Sequence, residues 1–398
     1  MRVKQKGGIL ATKQECSLHR DRIFLGNGAY FETGEPFVND NIIAVGSTGS
    51  GKTTGVVVPR LETTTYSSLV VPVCKAGLYE KYAPLLKERG YRVLHLNLKN
   101  PGLSTCGYNP LAGKTKDYEL LSLAKAVVGE KSRSILGDID SYWSDSATNV
   151  IAAMLTVCDN FSEFTTMGKK LRASLDDGRF RTNYDAFFEG TGGEALRLWE
   201  PLVKNAPKTA SCIYSMVKNS LVHLDAVSEI FGKTPVLDIK TLGKEKTALF
   251  VSTSAGNPAS KKIADVFYYD LFKTLMTEAE KEESGKLPVP VQVVADDFAC
   301  GSIVPEFDSY ISLFRQAGIS ATLVLQSFSQ LESTYGRASA QTICDNCDTV
   351  LYFGSSDLET CRKIALYLDC PVSDVLRMPV SNMAVIRRGR EPMVIKRT

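Results

Sequence analysis

Residues 46–53 read Gly46-Ser47-Thr48-Gly49-Ser50-Gly51-Lys52-Thr53, and Ile42-Ile43-Ala44-Val45 stand directly before them. An unbroken apolar run predicts a buried strand, a glycine-rich turn follows, and the residues from Thr53 to Val58 can open a helix. Strand, glycine loop and helix in that order make a phosphate-binding loop. Gly46, Gly49 and Gly51 let the backbone turn tightly and bring its N–H groups to phosphate oxygens. Ser47, Thr48, Ser50 and Thr54 complete the cradle, and the following helix adds its positive end. Lys52 is placed to reach the β- and γ-phosphates of ATP, and the Thr53 hydroxyl to join the shell of a Mg²⁺ ion.

Outward from the loop, the chain keeps the rhythm of an α/β fold. Ser68-Leu69-Val70-Val71-Pro72-Val73 reads as a second buried strand, residues 78–88 as a helix, and residues 92–98 as a third strand. Strand–helix–strand repetition predicts a mainly parallel sheet covered by helices. From residue 117 to about 230 the apolar spacing is helical, as in Leu120-Leu121-Leu123-Ala124-Val127-Val128. Strands return at 248–252, 289–295, 321–325 and 350–353. The reading is a discontinuous nucleotide-binding domain, 1–115 and 236–398, split by an all-α domain, 116–235. Residues 1–40 read as a short β-rich lead-in, and 278–286 as a solvated helix end and loop.

Composition sets wide limits. A chain of 398 residues accommodates two domains. The net charge of +3 neither announces a nucleic-acid binder nor excludes a basic channel on one face. Ten cysteines at irregular spacing fit a reducing cytoplasm. No segment approaches the ~20 apolar residues of a membrane span, so the chain reads as soluble. Cys344-Asp345-Asn346-Cys347 has metal-ligand spacing, but it lacks a second pair or nearby histidines, and helix-borne apolar cysteines are the preferred reading.

Hydrolysis needs a carboxylate at the metal and a group to orient water. Val291-Gln292-Val293-Val294-Ala295-Asp296-Asp297 is an apolar strand ending in two acids. Asp296 would hold Mg²⁺ and Asp297 would polarise the water; the alternative is that the acids cap the next element. Gln326 ends the strand 322–325, expected beside the Asp296 strand, where an amide could sense the γ-phosphate. Arg315 lies near the end of a helix that stops at Gly318. It is either a surface arginine at a helix C-terminus or a group that enters a neighbouring subunit's site.

These residues together resemble the TraG-like coupling proteins of type IV secretion and bacterial conjugation. The resemblance rests on the phosphate loop, on Asp296-Asp297-Phe298, and above all on the run from Arg315 to Gly336. Asn109-Pro110-Leu111 and Tyr142-Trp143 add to it. It implies a RecA-like motor domain with an all-α insertion. It also implies a membrane-associated homo-hexameric ATPase at the inner face of the cell membrane. Such a ring would bring relaxase-bound single-stranded DNA, or effector proteins, to the secretion channel. By motif match Lys52 and Thr53 take the phosphate and metal roles, Asp296 the metal-shell role, Gln326 the third ATPase motif, and Arg315 the trans-acting arginine.

Three departures accompany the resemblance. Asp297 stands where the family carries a glutamate, and its carboxylate is shorter by about 1.5 Å, one C–C bond. Val73-Cys74-Lys75-Ala76-Gly77 keeps the lysine of an acidic family stretch but neither acid. The family's amino-terminal membrane helices are missing, so the chain is either a soluble fragment or anchored by a partner. The competing functions are a nucleotide-gated substrate receptor with little hydrolysis and another RecA-like DNA translocase.

Overall fold

The computed structural model describes residues 20–26, 29–74, 77–114, 116–129, 139–176, 180–203, 205–254, 256–298 and 304–397. Lys75 and Ala76, two of the five residues of the family's altered acidic stretch, lie outside these. The chain forms two compact units: Met1–His95 with Asp238–Ser252 and Phe272–Thr398, and Leu96–Leu237 with Thr253–Leu271.

Among the described residues, the elements of the first unit start in chain order with an antiparallel pair, β1 (Arg22–Gly26) and β2 (Ala29–Glu32). Then come β3 (Ile42–Val45), a wide helical turn Thr53–Val57 running into α1 (Val58–Thr63), β4 (Ser68–Val73) and α2 (Leu78–Glu88). The next strand is β5 (Arg92–Asn97). The helices that follow are α3 (Asp117–Val128), α4 (Ile139–Thr156), α5 (Phe161–Asp176), α6 (Phe180–Thr191), α7 (Gly193–Val203), α8 (Pro207–Asp225) and the short α9 (Glu229–Gly232). Then come β6 (Thr247–Ser252), α10 (Pro258–Glu280), β7 (Val291–Ala295), α11 (Phe307–Ala317) and β8 (Ile319–Leu325). The chain closes with α12 (Phe328–Tyr335), α13 (Arg337–Asp345), β9 (Thr349–Tyr352), α14 (Leu358–Leu368), α15 (Val372–Leu376), β10 (Asn382–Arg387) and β11 (Met393–Lys396).

Nine strands form one sheet in the order β11-β10-β9-β3-β8-β7-β4-β6-β5. The pairs β9–β3, β3–β8, β8–β7, β7–β4 and β4–β6 are parallel. Strand β10 breaks the pattern, running antiparallel to both β9 and β11. The sheet is therefore mainly parallel, as the rhythm of strands and helices predicts. Its central strands β3, β7 and β8 are buried at every position. A parallel strand covered on both faces has no solvent side to mark with polar residues, so its sequence shows no alternation. Ile23, Leu25 and Phe31 of the lead-in pair join the core that packs on β3, β4 and α1.

The second unit is helical from α3 to α9, as the spacing predicts. Trp199 anchors its core, stacked on Phe188 at 4.2 Å with its indole N–H donating to Asp185 at 2.8 Å. Phe161, Phe164 and Phe231 form a second aromatic cluster. A buried carboxylate, Asp270, accepts from Tyr108 at 3.0 Å and from Lys114 at 2.6 Å.

Two local readings need correction. Glu278 is not solvated: it is 7% exposed and takes ion pairs from Lys281 at 2.6 Å and Lys244 at 3.1 Å. These pairs offset the cost of burying its charge. Cys347 is not on a helix: α13 ends at Asp345, and Cys347 is buried just beyond it.

Candidate nucleotide site

The site is built where parallel strands end in register. Val45 pairs with Leu325 on one side and with Tyr352 on the other, and Ala295 pairs with Leu323. Gly46, Gln326, Phe353 and Asp296 are the first residues past their strands, and all leave the sheet at the same edge. In parallel sheets that edge is where loops collect ligand-binding groups.

The phosphate loop is folded by its glycines and fastened to its neighbours. Gly49 and Gly51 have φ of +77° and +84°, a region that L residues with a Cβ rarely enter. Gly46 is needed for space: a Cβ there would lie 2.8 Å from the Cβ of Phe353 and 2.9 Å from the Gly354 carbonyl. The loop's N–H groups at Gly46 and Ser47 donate to Leu325 and Gly354 at 3.2 and 2.8 Å. Ser47 Oγ accepts from the Ser356 N–H at 3.2 Å. Thr48 and Gly49 form the exposed tip, and Thr54 Oγ1 donates back to the Gly51 carbonyl at 3.0 Å. The Lys52 side chain is buried and turns into the loop, where its ammonium donates to the carbonyls of Gly46 and, at 2.9 Å, Ser47.

Asp296 meets the loop. The Thr53 hydroxyl lies 2.9 Å from Asp296 Oδ2 and 3.1 Å from Oδ1. The carboxylate is 4% exposed. Asp297, the next residue, is less buried and sits in the left-handed region at φ +56°, a conformation aspartate tolerates better than most side chains. Gln326 stands beside Gly46, with its backbone N–H donating to Gln330 Oε1 at 3.3 Å. The structure thus gathers Lys52, Thr53, Asp296, Asp297 and Gln326 at one sheet edge.

Arg315 is elsewhere. It is exposed on the last turn of α11 and makes no hydrogen bond or ion pair among the described residues. The chain turns at Gly318 and enters β8 from the opposite edge of the sheet. Seven residues of strand then separate that turn from the site, about 20 Å at ~3.3 Å per residue. Arg315 is not part of its own subunit's phosphate cluster.

Sequence reasoning missed two residues here. Phe353 packs against Gly46 and Gly55, and Arg397 donates through Nη1 to the Ser50 carbonyl while lying 5.0 Å over the Phe353 ring. Nothing in the sequence around them separates an aromatic or an arginine at a strand end from ordinary usage.

A hydroxyl beside a carboxylate, under a loop of backbone N–H groups, suits a hard, oxygen-seeking cation shared with phosphates. Among the described residues no group of three or more His, Cys, Asp or Glu could hold a metal by itself. Burial pushes the Cys344 and Cys347 thiols up, away from the thiolate a zinc site needs. Among the described residues no helix is long and apolar enough to cross a membrane.

The family model for type IV secretory system conjugative DNA transfer matches residues 4–368. VirD4 of Rhizobium radiobacter is 22% identical over 343 residues, which cover 84% of this chain and 48% of VirD4. VirD4 of Rhizobium rhizogenes is also 22% identical, with 84% and 49% covered. The chain spans about half the length of the curated relatives it matches. Among solved structures, the plasmid coupling protein TrwB in complex with ADP and Mg²⁺ aligns with a TM-score of 0.70 at 16% identity, covering 90% of this chain and 84% of TrwB. VirB4 of Thermoanaerobacter pseudethanolicus aligns with a TM-score of 0.55 at 11% identity, covering 96% and 97%. At such identities the structural likeness speaks for the fold. The family match covers most of the chain, and the chain belongs to the type IV secretory system conjugative DNA transfer family.

Proposed function

We propose that this chain is the motor portion of a type IV coupling protein, an ATPase that recruits DNA or nucleoprotein and drives it toward a conjugative secretion channel. The observation that carries the reading is the meeting of Thr53 and Asp296 beneath a glycine loop that encloses the Lys52 ammonium. TrwB, which shares the fold, has been solved with ADP and Mg²⁺. In this reading the loop N–H groups and Lys52 hold the β- and γ-phosphates of ATP. Thr53 and Asp296 hold Mg²⁺, which when bound neutralises charge on those phosphates. Asp297 orients the attacking water, and Gln326 stands beside the loop to sense the terminal phosphate.

Arg315 has one catalytic use left, given its distance from its own site. In a homo-hexameric ring at the inner face of the cell membrane, it would enter the neighbour's site and stabilise charge in the transition state. The helical unit would then read the cargo, relaxase-bound single-stranded DNA or an effector protein. A separate segment or partner would supply the membrane anchor.

The test is steady-state phosphate release from ATP by the purified chain, with and without single-stranded DNA, beside Lys52→Ala. The expected result is Mg²⁺-dependent turnover, stimulated by DNA and abolished in the variant. A chain that binds neither ATP nor DNA under oligomerising conditions overturns the proposal.

A second reading is favoured by one observation. Asp297 combines a short carboxylate with a left-handed backbone, which suits a nucleotide-gated receptor that turns over slowly. Comparing Asp297→Glu with the natural chain separates the two. Brisk, DNA-stimulated turnover by the natural chain removes the receptor reading; a large gain in the variant supports it.

A further inference from the structure

Strand β11 delivers a cation to the phosphate loop from the far end of the sequence. Its pairing with β10 continues into a bond from the Arg397 N–H to the Ser381 carbonyl at 2.7 Å, which fixes the backbone at this point. The guanidinium lies over Phe353 and donates through Nη1 to the carbonyl of Ser50. A Cβ on Gly51 would sit 3.1 Å from the same nitrogen and 3.5 Å from Thr54 Oγ1. The Arg397 Nε and the Ser50 hydroxyl are enclosed there without a hydrogen-bond partner among the described residues. Burial lowers the Arg397 pKa, as expected when a cation is brought partly out of water.

The consequence follows from peptide geometry. The Ser50–Gly51 peptide is planar, so its N–H points opposite to its C=O. A carbonyl pinned by Arg397 therefore aims the Gly51 N–H away from the guanidinium. A cation on the carbonyl also polarises that peptide and strengthens the N–H as a donor. Gly51 itself, at φ +84°, has no side chain to hold its own orientation. Phe353 supports both partners, because it packs against Gly46 and Gly55 and carries the guanidinium on its face.

We propose that Arg397 is a positioning residue of the nucleotide site: through Ser50 it orients the Gly51 N–H toward phosphate oxygens, which makes the β10–β11 hairpin part of the machinery that binds the di- or triphosphate. The inference rests on the nucleotide-binding reading above. It adds a positive charge at the Ser50 carbonyl of the loop and ties nucleotide affinity to the edge of the sheet.

Titration of the full chain with fluorescent ADP and ATP analogues in Mg²⁺ tests this, using the natural protein, Arg397→Lys, Arg397→Gln and Arg397→Ala. Lysine keeps the charge and a donor, glutamine keeps a donor only, and alanine keeps neither. Affinity is expected to fall in that order. The alanine variant should be weaker by about tenfold for both nucleotides, the factor that corresponds to ~1.4 kcal/mol. The lysine variant should stay within about threefold. A merely structural role would lower the thermal midpoint of all three alike and leave the affinity of the folded protein unchanged. If alanine, or alanine's folded substitute glutamine, binds within twofold of the natural chain, this inference is overturned while the nucleotide-binding reading stands. A natural chain that binds neither nucleotide overturns both.

Discussion

The Thr53 hydroxyl and the Asp296 carboxylate lie 2.9 Å apart although 243 positions of sequence separate them. Sheet order makes this possible. Strands β3 and β7 flank β8 on either side, so the loop that leaves β3 and the acids that leave β7 face each other across one strand. The buried serial pairing of these three strands fixes the distance between a hydroxyl and a carboxylate.

Asp296→Asn keeps the shape of that contact and removes its charge. Turnover that depends on Mg²⁺ should fall by roughly 10–100-fold, the usual effect of disturbing a metal's supporting shell. Half-maximal activity should also shift to higher Mg²⁺. Phosphate release measured across a Mg²⁺ titration checks this; an unchanged Mg²⁺ dependence would remove Asp296 from the metal site.

Gly46→Ala and Gly49→Ala should fail differently. At Gly46 the new methyl meets Phe353 and the Gly354 carbonyl below 3.0 Å, and backbone must move. At Gly49 there is open space and only the left-handed backbone resists, a strain of about 1–2 kcal/mol. Nucleotide binding measured by calorimetry should be lost in Gly46→Ala and weakened by roughly tenfold in Gly49→Ala. Equal effects would contradict the clash argument.

Much of this site was legible because its chemistry is local. The glycines, Lys52 and Thr53 are contiguous, and apolar runs with no alternation announce strands buried on both faces. The adjacency of the Gln326 strand to the Asp296 strand was expected, and β8 does pair with β7. What the sequence hid is pairing at long range. Strand β11 is short, half-exposed and ends in a lysine, so its apolar run resembles any half-exposed segment. Asp21 was equally silent, yet its oxygens accept from the N–H groups of Thr65, Tyr66 and Ser67 and from Gln292. A carboxylate that caps a remote turn leaves no spacing to read.

Arg60 is a buried cation on α1. It donates to Thr322 Oγ1 of β8 at 3.2 Å, and the charges of Asp40 and Asp21 oppose the burial that lowers its pKa to about 10. Arg60→Ala should destabilise the protein by roughly 3–5 kcal/mol, because it removes one partner of buried charges. Arg60→Met, which fills the space, should cost clearly less than the alanine change. Urea denaturation of the three proteins checks the order, and equal midpoints for alanine and the natural chain would show the guanidinium to be neutral for stability.

His95 gives the fold a pH dependence of known sign. Its ring stacks on Tyr79 at 4.0 Å and its Nε2 shares a hydrogen bond with Ser252 Oγ at 2.8 Å. Burial lowers its pKa below 6.5, with Glu80 opposing the shift. The folded protein therefore binds this proton less readily than the unfolded chain. Above the unfolded value both states are neutral at this ring and no stability is lost. As pH falls below about 6.5 the unfolded chain takes up the proton first, and stability declines until pH passes the folded pKa. The thermal midpoint of the natural chain should drop more between pH 7.5 and 5.5 than that of His95→Gln, which keeps a polar side chain without the titration. His223 is present in both proteins, so the difference isolates His95. Parallel pH profiles would mean that the buried ring does not govern stability in this range.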